Sequence, residues 1–199
     1  MPTPRTTAAA AAARIVRDEG VDHAFGCPDA PGAPLYAAFA AAGLGRLTAR
    51  HPQSAVHMAD GWARASGRTG VVVAGAASGP GLVPGLHTAQ ADGVPLVCLA
   101  AGPGAAGPAR PVTKQVLPAA SAARLPWALR EAFRTAREGR PGPVLVELSP
   151  GTAEAELAYA SAADAPLPVR SGAPRPNQVT ETVSTRRPVL VSVLAAPEV

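Results

Sequence analysis

Few residues of this chain carry side chains that do chemistry, and they are scattered along it. His23, His57 and His87 could each act as a general base, but no carboxylate that would orient the ring is evident for any of them. Cys27 and Cys98 have neither metal-ligand spacing nor the pattern of a disulfide framework, and no base neighbours either thiol. We therefore predict no catalytic residue and no metal site made by this chain alone.

One stretch, residues 50–65, is organised to begin a helix directly after a strand. Pro52 suits the first helical position, where its missing N–H is not needed, and it holds the residue before it extended. Asp60 and Arg64 are one helical turn apart and are predicted to pair. Gly61 in mid-helix costs about 1 kcal/mol relative to alanine, which suggests that something packs close to its backbone. Helical spacing predicts one buried stripe of Ala55, Met58, Ala59 and Trp62.

A second stretch, Ser78-Gly79-Pro80-Gly81, lies between an apolar run and the next predicted helix. Backbone N–H groups at a helix start can contact an anion or a polar ring. Glycine is common in strand-to-helix turns, so this motif has low specificity when taken alone.

The elements around these stretches alternate between strand and helix. Gly70–Ala74 and Val94–Ala101 are apolar throughout, as strands covered on both faces are. Amphipathic spacing predicts a helix over Arg124–Glu138, with Trp127, Leu129, Ala132, Phe133 and Ala136 available for the core. Such alternation predicts a doubly wound α/β fold with a parallel sheet. Residues 26–32, 50–54 and 75–82 then fall at the carboxyl ends of strands, where such sheets bind ligands.

Composition argues against a nucleic-acid-binding, membrane-spanning or secreted protein. The net charge is +4 and hydrophobic residues make up 47% of the 199 residues. The basic residues are scattered and no aromatic residues interleave with them, so we expect no nucleic-acid partner. The apolar runs are too short to span a membrane, and Ala8–Ala13 continues into an amphipathic helix instead of a signal sequence. We therefore expect a cytoplasmic protein without a membrane partner.

Four segments in order give a resemblance to the thiamine diphosphate carboligases. Residues 50–65, with their His57-Met58-Ala59 core, resemble the first helix signature of glyoxylate carboligase within the acetohydroxyacid synthase group. Ser78–Gly81, Ala89–Val97 and Gly139–Leu148 follow in the family's order. The resemblance covers residues 14–150 and implies a pyrimidine-binding domain with thiamine diphosphate as cofactor. It implies vestigial cofactor-binding positions at Gly26, Pro52, Ser78, Gly79, Pro80 and Gly81.

The resemblance also identifies what has changed. Pro52 stands where most members carry the Glu that hydrogen-bonds the aminopyrimidine, although glyoxylate carboligases also resemble this chain in lacking it. The 199 residues contain no Gly-Asp-Gly motif, which in the family holds the diphosphate and Mg²⁺, so Mg²⁺ would be bound only through a partner chain. After Ala101 the family's loop with Phe and Gln is shortened to residues 102–108.

These features divide the chain in two. Residues 1–150 are predicted to form the pyrimidine-binding domain. Residues 151–199 are predicted to be a short linker, Ala-, Pro- and Ser-rich as far as Pro176, and a partial remnant of a second domain. The remnant consists of a short helix over Asn177–Thr185 and a strand over Pro188–Leu194.

Three hypotheses for function remain open at this point. The chain is a degenerate family member, inactive alone. Alternatively, it is one subunit of a split thiamine diphosphate enzyme whose diphosphate-binding domain is a separate chain. In the third hypothesis it is a non-catalytic interaction module that binds a protein, or a second copy of itself, through the cofactor-side face.

Overall fold

The computed structural model describes residues 4–27, 29 and 32–160. Its strands are β1 Arg5–Thr7, β2 His23–Cys27, β3 Gly45–Thr48, β4 Gly70–Gly75, β5 Leu96–Ala101, β6 Gln115–Ala119, β7 Pro143–Leu148 and β8 Glu156–Ala158. Its α-helices are α1 Ala8–Asp18, α2 Ala33–Ala41, α3 Pro52–Ser66, α4 Gly79–Asp92, α5 Ala106–Ala109 and α6 Leu125–Arg137. No described helix is both long enough and apolar enough to cross a membrane.

Six strands form one parallel sheet in the order β3-β2-β4-β5-β7-β6. The predicted doubly wound fold is therefore confirmed. Strands β4 and β5 are central and pair from Gly70↔Leu96 to Gly75↔Ala101. Every residue of both strands is buried, because helices cover both faces of the sheet.

Alternate residues of the central strands pack into two separate hydrophobic clusters, one on each face of the sheet. Val71 and Val73 join the cluster beneath α1, α2 and α6. Val72 and Ala74 join the cluster beneath α3, α4 and α5. This alternation is the period of two expected along a strand, and it places α3 and α4 side by side on one face.

The predicted Asp60–Arg64 pair is confirmed and also involves a neighbouring helix. Arg64 donates to both carboxylate oxygens of Asp60, at 2.9 and 3.2 Å, and to Asp92 at 2.6 Å. Since Asp92 ends α4, this ion-pair group ties the C-terminal ends of α3 and α4 together.

Gly61 does not have the close neighbour that its position in mid-helix predicted. It is exposed, and no described atom lies within 4 Å of the position that a Cβ would occupy. The cost of this glycine is therefore not explained by packing within the described domain.

The predicted stripe of α3 is buried only in part. Ala55 and Ala59 are buried, whereas Met58 and Trp62 are half-buried.

Trp127 does not lie in the core as predicted. Its side chain is 44% exposed, with the Arg124 guanidinium 3.8 Å above the centre of its ring. Leu125, Leu129 and Phe133 are fully buried on the inner face of α6. Because Trp127 lies two residues from both leucines, the turn of about 100° per residue directs it to the outer face.

Three strands, β1, β6 and β8, were not predicted from the sequence. Strand β6 adds an edge to the main sheet, and its exposed Pro118 suits an edge that needs no further N–H donor. Strand β8 pairs antiparallel with β1, outside the main sheet.

The compact domain continues past the predicted boundary at residue 150. Ala153, Leu157 and Tyr159 are all buried, because the chain after β7 returns across the main core cluster. Residues 151–160 therefore belong to the domain and not to a linker. The rest of the predicted linker, the helix over 177–185 and the strand over 188–194 lie outside the described residues.

Candidate functional site

The positions that the sequence singled out meet at the carboxyl edge of the sheet. Gly26 lies near the end of β2, Pro52 begins α3, and residues 78–81 lead from β4 into α4. The strand order reverses between β2 and β4, and ligands of such sheets bind in the crevice at that reversal. The carbonyl oxygen of Gly26 accepts the Ala49 N–H at 2.7 Å, which joins the ends of β2 and β3.

Pro52 acts as a packing residue at this edge. The residue before it is extended, with φ −134° and ψ 139°, and the helix begins at the proline as predicted. A Cβ placed on Gly81 would lie 3.3 Å from both Cβ and Cγ of Pro52. The ring is therefore seated against the first turn of α4, and it offers no hydrogen-bond acceptor toward the crevice.

The start of α4 is covered by a loop from elsewhere in the chain. A Cβ on Gly79 would lie 2.7 Å from the carbonyl oxygen of Gly104 and 2.9 Å from Cα of Ala105. No side chain could therefore replace the hydrogen of Gly79 without moving backbone. Ser78 is half-buried and Pro80 is exposed, whereas Gly79 is in contact with the backbone of this loop.

Glu147 contacts that loop, and the sequence did not predict it as part of the site. Its Oε1 accepts the N–H groups of Gly104, Ala105 and Ala106 at 3.1, 3.1 and 2.9 Å. The only sequence signal is an acidic residue near the end of an otherwise apolar strand, where burying a charge demands partners. The partners themselves are 41 to 43 residues away.

Asp29 is the second acidic group that the structure adds to the edge. Its carboxylate lies directly against Cα of Gly75 and accepts the N–H of Gly32 at 3.2 Å. Glycine is required at position 75, because a Cβ there would coincide with this carboxylate. Asp29 therefore fills part of the crevice at the reversal of strand order.

Of the three candidate histidines, His23 lies at the opposite edge of the sheet, and His57 and His87 lie on the exposed faces of helices. His23 begins β2 at the opposite, amino edge, where Nδ1 is 2.9 Å from Oδ1 of Asp22. A carboxylate partner for this histidine therefore exists, contrary to the sequence interpretation. The pKa of Asp22 is lowered, chiefly by the hydrogen bond with His23. His57 and His87 are exposed on α3 and α4.

The two cysteines are free thiols in different surroundings. Cys98 lies in the middle of β5, and burial raises its pKa from 9.0 to about 12. Such a thiol is protonated at neutral pH and is a poor nucleophile. Cys27 is half-buried at the end of β2.

A cavity of about 860 Å³ lies at the amino edge and contains none of the predicted site residues. Three of its lining residues, Arg17, Arg68 and Arg137, donate to carbonyl oxygens at the C-terminal ends of α1 and α2. These ends carry partial negative charge, so the arginines serve to cap helices. Arg137 also pairs with Glu19 at 2.8 Å. The charged residues of the lining are these three arginines and two acids, Glu19 and Asp22, and the cavity does not extend the carboxyl-edge site.

Comparison with known proteins identifies the protein family to which this chain belongs. Residues 6–122 match the family described as thiamine pyrophosphate enzyme, N-terminal TPP binding domain. The chain therefore belongs to that family, as its motifs indicated.

Three relatives show which members of the family this chain resembles. Glyoxylate carboligase of Escherichia coli O157:H7 is 34% identical over 92% of this chain and 34% of that protein. Acetolactate synthase large subunit of Haemophilus influenzae is 37% identical over 72% of this chain and 28% of that protein. Acetolactate synthase isozyme 3 large subunit of Escherichia coli K12 is 38% identical over 68% and 26%, respectively. The chain thus spans between about a quarter and a third of the length of these relatives.

Several contacts at this edge bear on the family's cofactor, thiamine diphosphate. Pro52 packs against Gly81 at the position where most family members carry an acceptor for the aminopyrimidine, and the start of α4 is covered by the 104–105 backbone. The N–H groups of residues 104–106 already bind Glu147. Within residues 4–27, 29 and 32–160, no group of three His, Cys, Asp or Glu side chains could hold a metal ion.

Proposed function

We propose that this chain is a degenerate pyrimidine-binding domain of the thiamine diphosphate enzyme family, without carboligase activity of its own. The observation that carries the proposal is the covered start of α4, where the backbone of residues 104–105 fills the space beside Gly79. Pro52, which packs against Gly81, supports it: most family members carry a proton acceptor at that position, worth roughly 10²–10⁴ in rate, although glyoxylate carboligases resemble this chain in lacking it.

Other changes at the same edge support this proposal. Gly79 is covered by the backbone of the loop that follows β5, and the carboxylate of Asp29 lies against Gly75. The packing of Pro52, the cover over Gly79 and the carboxylate beside Gly75 lie at one edge and together support loss of the cofactor over a change of substrate.

A calorimetric titration with thiamine diphosphate and Mg²⁺ tests the proposal. We expect no binding heat from the chain alone beyond the heat of dilution. An active acetolactate synthase, titrated in the same buffer, serves as the positive control. Saturable cofactor binding by the chain alone would contradict the proposal.

The exposed Gly61 supports a second candidate, a subunit of a split enzyme. Without a Cβ, and with open space above it, this part of α3 allows the backbone of another chain to approach closely. In this alternative a separate chain supplies the diphosphate-binding groups and Mg²⁺. Repeating the titration with a candidate chain that contains Gly-Asp-Gly should then give cofactor binding only in the mixture.

The third candidate, a non-catalytic interaction module, predicts a different result when the chain is mixed with a partner chain and titrated. A complex would form, with a partner or with a second copy through the cofactor-side face, but no cofactor would bind. Sedimentation of the mixture with and without thiamine diphosphate separates the second and third candidates. A cytoplasmic location is part of all three proposals, and the two free thiols support a reducing compartment.

A further inference from the structure

We propose that Glu147 is the positioning residue of the carboxyl edge: its carboxylate holds the loop 102–106 against Gly79 and so closes the start of α4. The view that this edge once met a cofactor rests on the proposed function. The contacts of Glu147 do not depend on it.

The geometry is that of one oxygen shared by three successive donors. Gly104, Ala105 and Ala106 all point their N–H groups at Oε1, within 2.9 to 3.1 Å. Gly102 and Gly104 have φ near +110°, which only glycine adopts readily, and they turn the loop so that these donors converge. The Gly102 N–H donates to the carbonyl oxygen of Leu148 at 2.9 Å, which fixes the other end of the loop.

The loop then transmits this restraint to α4. The Gly104 carbonyl and Ala105 Cα occupy the space directly beside Gly79, and Ala105 is fully buried there. Hydrogen bonds to a charged acceptor are stronger than those between neutral groups. A ligand that approached Gly79 would therefore have to displace a loop held by a carboxylate.

Amide hydrogen exchange, read residue by residue by NMR, tests this role in the full chain. In Glu147→Gln, exchange at Gly104, Ala105 and Ala106 should accelerate by about tenfold or more, because a charged acceptor becomes neutral. Exchange in α6 should not change. The matched control is Glu154→Gln, which alters an exposed glutamate in the same part of the chain. Unchanged exchange at the three amides in Glu147→Gln would overturn the proposal.

Chemical rescue separates positioning from a general structural effect. Glu147→Ala removes a fragment the size of acetate. Added acetate should therefore restore protection at the three amides, whereas chloride at equal ionic strength should not. If acetate fails to restore protection, or if the loss of protection spreads through β7 and α6, the carboxylate is not the group that holds the loop and the proposal is wrong.

The same variants distinguish this proposal from the proposed function. Hydrogen exchange reports on the loop whether or not any cofactor binds. Binding of thiamine diphosphate by the unmodified chain would contradict the proposed loss of function but would leave the role of Glu147 standing. Unchanged amide exchange in Glu147→Gln would contradict the role of Glu147 but would leave the proposed loss of function standing.

Discussion

Pro52 combines two roles that the sequence presents as alternatives. Its position in the motif belongs to a cofactor contact, whereas its ring is a packing surface for the first turn of α4. We predict that Pro52→Glu does not confer thiamine diphosphate binding, because Gly79 remains covered. Stability should change by less than about 1 kcal/mol, since a helix-dipole gain of about 0.3–1 kcal/mol opposes an unfolded-state loss of about 0.4–1 kcal/mol. Urea unfolding and calorimetric titration measure both effects.

Pro52→Ala is the control for this substitution. It removes the ring and the restriction of the unfolded chain without adding a carboxylate. If Pro52→Glu binds the cofactor and Pro52→Ala does not, the rest of the edge is intact and the domain is not degenerate.

Cys98 gives the domain a defined response to alkaline pH. The unfolded chain releases this proton near the ordinary value of 9.0, whereas the folded chain holds it to about 12. The unfolded state then binds fewer protons, so the free energy of unfolding falls as pH rises between these values. The contribution of Cys98 to that slope approaches about 1.4 kcal/mol per pH unit. Urea unfolding at several pH values across this range measures the slope.

Variants of the two cysteines assign this slope to one thiol. Cys98→Ala should be less stable at neutral pH but should lose the Cys98 part of the alkaline slope. Cys27→Ala should keep the slope of the parent. An equal slope in the parent and in Cys98→Ala would show that other groups cause it.

At the scale of elements, α6 offers a matched pair of substitutions on one helix. Leu129 is fully buried and Trp127 is 44% exposed. Leu129→Ala should lower the free energy of unfolding by about 2–5 kcal/mol. Trp127→Ala should cost no more than about 1 kcal/mol, mainly the contact with Arg124. Denaturant unfolding of both variants checks this order, and a larger loss for Trp127→Ala would contradict the observed orientation of the helix.

The segment after β7 should stabilise the domain through Tyr159. This side chain is 2% exposed, and its Oη accepts a hydrogen bond from Nη2 of Arg130 at 3.1 Å. Tyr159→Ala should therefore cost about 3–5 kcal/mol, as other large aromatic truncations do. Thermal unfolding of the full chain measures the loss.

Tyr159→Phe separates packing from hydrogen bonding at that site. It keeps the ring and removes the hydroxyl, so it should cost less than Tyr159→Ala. A change of less than about 0.5 kcal/mol in both variants, the size of an ordinary surface effect, would show that residues 151–160 do not belong to the core.

Elements with strong local signals could be predicted from the sequence, and weak ones could not. Strands β4 and β5 are continuous apolar runs, and α3 begins at a proline and carries a helical stripe. Strand β6 contains Pro118 and has two polar or half-exposed positions, so its sequence resembles a loop. Strands β1 and β8 are three residues each, and only their mutual pairing defines them.

The candidate site also has a part that could be predicted from the sequence and a part that could not. Motif spacing and parallel topology placed Gly26, Pro52 and residues 78–81 at one edge. The contacts that decide what the edge can do come from Asp29 and Glu147, which reach it across long separations in sequence. Side-chain contacts of this kind depend on loop conformation, which spacing along one strand or helix does not specify.

For the molecule as a whole, we predict no thiamine diphosphate-dependent turnover of glyoxylate or pyruvate by this chain alone. Pro52 offers no acceptor at this edge, and the backbone of residues 104–105 covers Gly79 at the start of α4. Release of CO₂ from labelled substrate, with an active acetolactate synthase assayed beside it, measures the activity. Cofactor-dependent release above the enzyme-free rate would contradict the prediction.

The pairing of β1 with β8 places the two ends of the described domain side by side. The Tyr159 N–H donates to the carbonyl oxygen of Pro4 at 3.2 Å. Domains whose ends are adjacent can be inserted into a surface loop of a host protein without forcing the host chain apart. Residues 4–160 should therefore fold when they are inserted as a unit into a loop of another protein. Circular permutants that join residues 4 and 160 through a short linker should also retain the fold.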